Sequence, residues 1–423
     1  MNKIEAAMRP WMRGMGGILC VAMALLQGCD GKVSPLGVRH KPSGFNANFS
    51  GDGLAFQDYV AQSRAMIEKI VSEDGVARSE KIVDGNSPFE LRPAGDCQKG
   101  HDKPYRRGVL LTHGLSDAPY SMHALASFFQ KNCFLVMAIL LPGHGTQPGD
   151  LLEVTWREWA RAEAYGTDQL AAEVDEVYLA GFSAGGALSL YQSLKDDRVR
   201  GLFLFAPALE ITSMAAWANV HKIYSWLIPS ERWVSIMPDD AAYRYESFPK
   251  NAVAQVHSLI KEVRRGLHGR TLGIPIFTVT SQEDSTVHTS ATLDFMAHAR
   301  HASNKMLLYT VSTNSVPQGF RAGSLELVSS VIPGRRILSS AHTAITLPLD
   351  DAYYGVSGKY GNCTHYYPNN PKKYADCSEG RGVYFYGELT NKNLQAGTLR
   401  RLMVNPHYSA LEDSMKNFID GLP

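Results

Sequence analysis

The sequence predicts an α/β protein: a doubly wound, mostly parallel sheet with a helical cap inserted over one edge. Three observations predict it. From about Tyr105, apolar runs of strand length alternate with amphipathic runs of helix length. Gly181-Phe182-Ser183-Ala184-Gly185-Gly186 stands between an apolar run and a helix-compatible run, as a tight strand-to-helix turn must. Between Ala208 and Arg265 the strand runs stop, and Trp, Tyr and Pro crowd in.

Residues 1–28 read as a segment outside the fold. Lys3, Arg9 and Arg13 form a basic head, and Gly14 to Leu26 an apolar run too short to span a bilayer comfortably. The run ends in Leu26-Gln27-Gly28-Cys29, a small residue followed by a thiol. This resembles the lipobox of bacterial lipoproteins. The resemblance implies cleavage before Cys29, a lipid on its sulfur, and a chain exported and anchored to a membrane. Each buried methylene of such a lipid contributes about 0.8 kcal/mol. Asp30 resembles the signal for inner-membrane retention, which favours the periplasmic face of the inner membrane over the outer membrane. Residues 29–53 hold Gly, Ser, Pro and Asn with few core formers and read as a tether.

The core opens with Phe56, Tyr59, Val60, Met66, Ile67 and Ile70 at helical spacing. Gly108–Thr112 and Phe134–Leu141 are apolar throughout, as strands buried on both faces should be. Helices are expected over Met122–Gln130 and Trp156–Glu173. Val177–Ala180 is the strand before Ser183, Ala187–Lys195 the helix after it, and Gly201–Phe205 a further strand. Residues 54–206 thus form the first part of the core and 207–266 the cap. In the cap, Trp217, Trp226, Trp233, Tyr224, Tyr243 and Tyr245 are read chiefly as packing, with a few free to line an acyl pocket. The core resumes over 267–423. It has a strand at Ile274–Thr280, a helix at Thr289–Arg300 and a last strand at Lys305–Val311. An insertion at 312–334 and a cysteine-bearing tail follow.

Bulk properties exclude little but do exclude something. With 423 residues, 44% hydrophobic and 20% charged, the chain has ordinary globular composition. A net charge of +1 gives no footprint for nucleic acid. Beyond Cys20 and Cys29 there remain Cys97, Cys133, Cys363 and Cys377, which allow three pairings. Cys97 and Cys133 each precede a strand at the same sheet edge, and Cys363 and Cys377 are close in a stretch poor in core formers. Those two pairs are the expected disulfides of an exported chain. No CxxC pair or histidine cluster accompanies them, so neither a metal nor another cofactor is expected.

The chemistry centres on Ser183. A serine hydroxyl needs a general base, an acid to orient that base, and donors for an oxyanion. Asp284 follows the strand Ile274–Thr280 and would stand at the sheet edge that presents Ser183. Glu283 is the near rival, and Asp294 and Glu326 are weaker. His342, in Ser339-Ser340-Ala341-His342-Thr343, is the base candidate. His288, His298, His301 and His365 fit less well. The backbone N–H of Ala184 and one from Thr112-His113-Gly114-Leu115-Ser116, at Leu115, are the oxyanion candidates.

Together His113-Gly114-Leu115, Pro142-Gly143-His144-Gly145-Thr146, the Ser183 hexapeptide, Gln282-Glu283-Asp284 and Ser340-Ala341-His342 resemble the α/β-hydrolases. They are most similar to the bacterial carboxylesterase and monoacylglycerol lipase branch. The resemblance spans about 105–345. It implies nucleophile Ser183, acid Asp284, base His342 and oxyanion donors Leu115 and Ala184. It also implies a small-molecule or lipid ester as substrate. One departure stands out. Fifty-eight positions separate Asp284 from His342, whereas in this family the histidine usually follows the acid sooner, just past the last strand. Two other readings stay open. A proline iminopeptidase would use Asp239, Asp240 or Glu246 as an amine anchor, and a non-catalytic lipoprotein would use the cleft only for binding.

Overall fold

The computed structural model describes residues 35–45, 49–73, 80–93, 95, 97–211 and 228–422. Cys29 and the expected leader therefore lie outside the described residues, as do Trp217, Tyr224 and Trp226. One sheet runs through the molecule in the order β1 (Phe89–Leu91), β3 (Phe134–Ile139), β2 (Tyr105–Thr112), β4 (Val174–Phe182), β5 (Val199–Phe205), β8 (Ile276–Ser281), β9 (Lys305–Thr310) and β10 (Leu325–Ser329). Only β1 is antiparallel to its neighbour. A short ribbon, β6 (Trp233–Ser235) with β7 (Phe248–Pro249), lies between the sheet's two halves in sequence.

The pleat sorts the core into two layers. On β3, Leu135, Met137 and Ile139 face one way, and Phe134, Val136 and Ala138 the other. The first layer packs under α1 (Phe56–Glu73), α4 (Trp156–Glu173) and α5 (Ala184–Ser193). It continues under α6 (Lys250–Leu267) and α7 (Thr289–His298). Between them in the chain fall α2 (Glu80–Asn86) and α3 (His123–Lys131). The second layer packs under α3 and the C-terminal helix Tyr408–Asp420, through Phe129, Leu411, Met415 and Phe418. Helices on both faces and parallel strands between them make the doubly wound sheet that the alternation predicts.

Three stretches differ from expectation. The segment read as an insertion at 312–334 holds β10, which pairs parallel with β9 from Leu325↔Met306 to Ser329↔Thr310. As an edge strand half open to solvent, it carries no continuous apolar run. The long interval before His342 is therefore one more strand, and the histidine does follow the last strand. The described part of the expected tether 29–53 is also partly docked. Ser43 donates backbone and hydroxyl hydrogen bonds to Asp150 at 2.6 and 2.8 Å, and Arg39 donates to Asp239 O. Polar docking leaves no apolar signal in the sequence. Finally, the described part of the cap, 207–211 and 228–266, combines the β6–β7 ribbon with α6.

The tail beyond Thr346 forms a small separate layer over the same sheet edge. It contains α8 (Pro371–Ser378), β11 (Tyr384–Gly387), α9 (Asn391–Leu394) and β12 (Thr398–Arg401), before α10 (Tyr408–Asp420) returns to the sheet. Strands β11 and β12 pair parallel, and Leu338 donates to Tyr386 O, so the tail is stitched to the loop before His342. Cys363 and Cys377 are bonded here, with Cα atoms 6.0 Å apart. Cys97 and Cys133 are bonded at the other end of the sheet, with Cα atoms 5.4 Å apart.

Candidate active site

The carboxyl ends of β2, β4 and β8 and the loop after β10 meet above the sheet. Ser183 lies between β4 and α5 with φ 53° and ψ −114°, a conformation rarely tolerated outside glycine. Its neighbours explain why the turn can be so tight. A Cβ on Gly181 would come within 2.3 Å of the Gly185 carbonyl, and one on Gly185 within 2.1 Å of Thr112 O. Backbone meets backbone at both points, so only glycine fits. Ser183 N donates to Phe205 O and Ala208 N to Ser183 O, which ties the turn to the next strand.

His342 is brought to this serine. Its Nε2 lies 2.9 Å from Ser183 Oγ, and its Nδ1 2.6 Å from Asp284 Oδ2. A carboxylate only accepts, so Nδ1 carries the proton and Nε2 is free to accept from the serine hydroxyl. Asp284 is held in turn by the backbone N–H groups of Thr286 and Val287, at 2.8 and 2.9 Å. The rivals are occupied elsewhere. Glu283 accepts from Val311 N, Glu326 reaches Lys305 and Ser414, and His298 turns back to Asp294.

Two buried histidines shape the loop after β2. Leu141 N donates to His113 Nε2, so its Nδ1–H donates to Gly114 O at 2.8 Å. Ser116 N donates to His144 Nε2 at 3.0 Å. Burial pushes both imidazoles down, His144 to about 4, so both stay neutral acceptors at pH 7. They anchor the loop on either side of Leu115. Among the described residues, neither the Leu115 nor the Ala184 N–H donates a hydrogen bond. Both residues line the cavity at Ser183.

Beneath the elbow, the fully buried Glu163 accepts from the Thr112 and Ser189 hydroxyls, at 2.5 and 2.9 Å. It joins β2, α4 and α5. Burial outweighs those hydrogen bonds and pushes its carboxyl up to about 7.

The sequence offers no signal for the residues that hold the base. Glu388, at the end of β11, is fully buried, and its Oε2 accepts from His342 N at 2.9 Å and Ser285 N at 3.4 Å. Arg401 grips the same carboxylate through Nε and Nη2, at 2.7 and 2.9 Å, and reaches Thr286 Oγ1 at 2.6 Å. Burial alone would raise Glu388, but the Arg401 charge and these donors prevail and hold it down at about 2. One ion pair from the tail thus fastens the acid loop and the histidine loop together. No motif marks Glu388, because its partners are distant in the chain.

Ser183 opens on a cavity of about 290 Å³. Its lining combines apolar side chains, among them Ile211, Phe248, Val253, Val256 and Val287, with the polar Asp117, Ser121, Arg244 and Tyr354. The cap aromatics Trp233, Tyr243 and Tyr245 are buried as packing: Tyr243 stacks on Tyr120 at 3.9 Å, and Tyr245 OH accepts from Thr146 N. Among the described residues, no group of acidic, histidine or cysteine side chains is arranged to hold a metal.

Comparison with known proteins matches residues 103–311 to the family described as serine aminopeptidase, S33. Over 180 residues the chain is 27% identical to the thermostable monoacylglycerol lipase of Bacillus sp. (strain H-257), covering 43% of this chain and 71% of that one. The chain is a hydrolase with the α/β-hydrolase fold. Among solved structures, the hydrolase is similar to the monoacylglycerol lipase of Paleococcus ferrophilus (15% identity, 53% of this chain and 88% of that one, TM-score 0.41). It is also similar to Est1E of Butyrivibrio proteoclasticus (14% identity, 53% and 83%, TM-score 0.35). The matched family region stops short of His342, Glu388 and Arg401.

Proposed function

We propose that this hydrolase is a serine esterase, exported and anchored through a lipid on Cys29, which cleaves esters of short to medium acyl chains. Monoacylglycerols and lysophospholipids fall in that class. The hydrogen-bonded chain from Ser183 to His342 to Asp284, opening on a cavity with many apolar lining residues, carries the proposal. His342 Nε2 takes the proton from Ser183 Oγ as the oxygen attacks the ester carbonyl. The Leu115 and Ala184 N–H groups receive the developing oxyanion. His342 returns the proton to the departing alcohol and leaves an acyl-enzyme, which water then attacks by the same route. Asp284 keeps the imidazole in the Nδ1–H tautomer and stabilises its charged form. The cavity is at the small end of ligand pockets, which suits a modest acyl group.

The matched family's description keeps an aminopeptidase reading in view. The amine anchors expected for it are engaged elsewhere. Asp239 accepts from Glu246 N and Ser247 N, Glu246 accepts from Tyr360 OH and Asp240 N, and none of these acids lines the cavity.

Turnover of 4-nitrophenyl butyrate beside a proline anilide tests the choice. Ester cleavage that survives Ser183→Ala, or anilide cleavage exceeding it, rejects the esterase. Failure to label with a fluorophosphonate would favour a binding protein. Incorporation of labelled palmitate into the membrane fraction, lost in Cys29→Ser, tests the anchor.

A further inference from the structure

Arg244 stands out among the groups that line the cavity. Its Nε is buried and makes no hydrogen bond among the described residues. One terminal nitrogen, Nη1, lies 3.7 Å from Met403 Sδ, a weak acceptor. No carboxylate within ion-pair distance matches its charge among the described residues. The acids nearest in electrostatic terms are Asp117 and Glu246. Glu246 is committed to Tyr360 and Asp240, at 2.5 and 2.8 Å, and Asp117 is held by Ser121 and the Ala118 backbone, outside ion-pair distance of Arg244. The other cavity arginine, Arg401, has its charge matched by Glu388 and also donates to Thr286. Arg244 is half-buried, and its buried Nε–H without an acceptor costs stability unless a ligand supplies one.

We infer that Arg244 receives a negatively charged group of the substrate, so that the preferred ester carries a carboxylate or a phosphate beside its acyl chain. The inference rests on the esterase reading and names its substrate class. The lining then divides the work: apolar side chains such as Ile211, Phe248, Val253, Val256 and Val287 take the hydrocarbon, and Arg244 takes the charge. A planar guanidinium offers paired donors to such oxygens, and hydrogen bonds to charged groups are among the strong ones.

Two matched substrate pairs test this. One puts the charge on the acyl side: the 4-nitrophenyl monoester of glutaric acid beside 4-nitrophenyl pentanoate. The other puts it on the alcohol side: 1-lauroylglycerol 3-phosphate beside 1-lauroylglycerol. In one pair the wild-type kcat/KM should favour the charged member. In that pair Arg244→Gln should lower the charged member by about 30- to 100-fold and the neutral one by less than about threefold, with partial recovery in Arg244→Lys. The responding pair identifies the carboxylate or the phosphate. A wild type that favours the neutral member in both pairs overturns the inference, even if Arg244→Gln fails to fold. Equal losses on both members of each pair also overturn it. Should the wild type turn over no ester, the esterase reading itself fails. Titration calorimetry of the Ser183→Ala protein with hexyl phosphate and with hexanoate then decides: binding about tenfold weaker on adding Arg244→Gln supports the inference, and unchanged binding rejects it.

Discussion

The two halves of the candidate site are held in place by different physics. Ser183 and the Leu115 loop are fixed by local sterics and buried neutral groups. Gly181 and Gly185 allow backbone contact, His113 and His144 grip the loop, and Glu163 pins three elements from below. Asp284 and His342 are fixed by an ion pair delivered from the tail, through Glu388 and Arg401. The first half depends on shape and needs no net charge. The second depends on two buried charges, and a buried charge that loses its partner is costly.

The sharpest test of the comparison removes the nucleophile alone. Ser183→Ala should abolish 4-nitrophenyl butyrate turnover by about 10⁴-fold or more with an unchanged melting temperature. Glu388→Gln should act on the other half. It leaves Arg401 buried and unpaired, at a cost of about 3–5 kcal/mol in denaturant unfolding. It should also lower kcat about 100-fold with KM little changed, because a small displacement of the base is enough. Pairing it with Arg401→Met should recover much of the stability but not the turnover. If the double variant regains full kcat, the ion pair has no positioning role.

The two halves should also answer to pH with opposite signs. Glu163 is pushed up to about 7 from an ordinary 4.5, so the folded chain holds a proton there that the unfolded chain releases. Its contribution is full below pH 4.5 and is lost as pH rises through 7, by roughly 3 kcal/mol. Glu388 is held down at about 2, so its contribution is present above pH 4.5 and is lost as pH falls toward 2. Urea unfolding across pH 3–8 should show the first slope vanish in Glu163→Gln and the second in Glu388→Gln. Replacing Cys363 and Cys377 by Ser should have the smallest effect, about 2 kcal/mol, and should lower thermal stability before it touches turnover.

The same contrast explains what could be read from the chain. Strands buried on both faces announce themselves as apolar runs, and the elbow announces itself because only glycine fits two of its positions. The positions of Asp284 and His342 were legible by their order after strands. Strand β10 was not, since an exposed edge needs no apolar run, and the histidine's distance from Asp284 therefore looked anomalous. Glu388 and Arg401 gave no warning either: thirteen positions apart in sequence, they acquire meaning only when the tail folds back on two loops, 46 and 103 residues upstream of Glu388. Arg244 was hidden between Tyr243 and Tyr245, where the aromatic neighbours dominate the pattern. The docking of Ser43 on Asp150 is polar and equally silent.

The Glu388–Arg401 pair has a consequence for the order in which the protein becomes competent. A ribosome has made the whole sheet, the serine, the acid and the histidine well before it reaches these two residues. Until they are in place the histidine loop and the acid loop lack the clasp that supplements the His342–Asp284 hydrogen bond, and His342 is less firmly seated. A hydrolase assembled in this way completes the support of its candidate site in a late step, after most of its own synthesis.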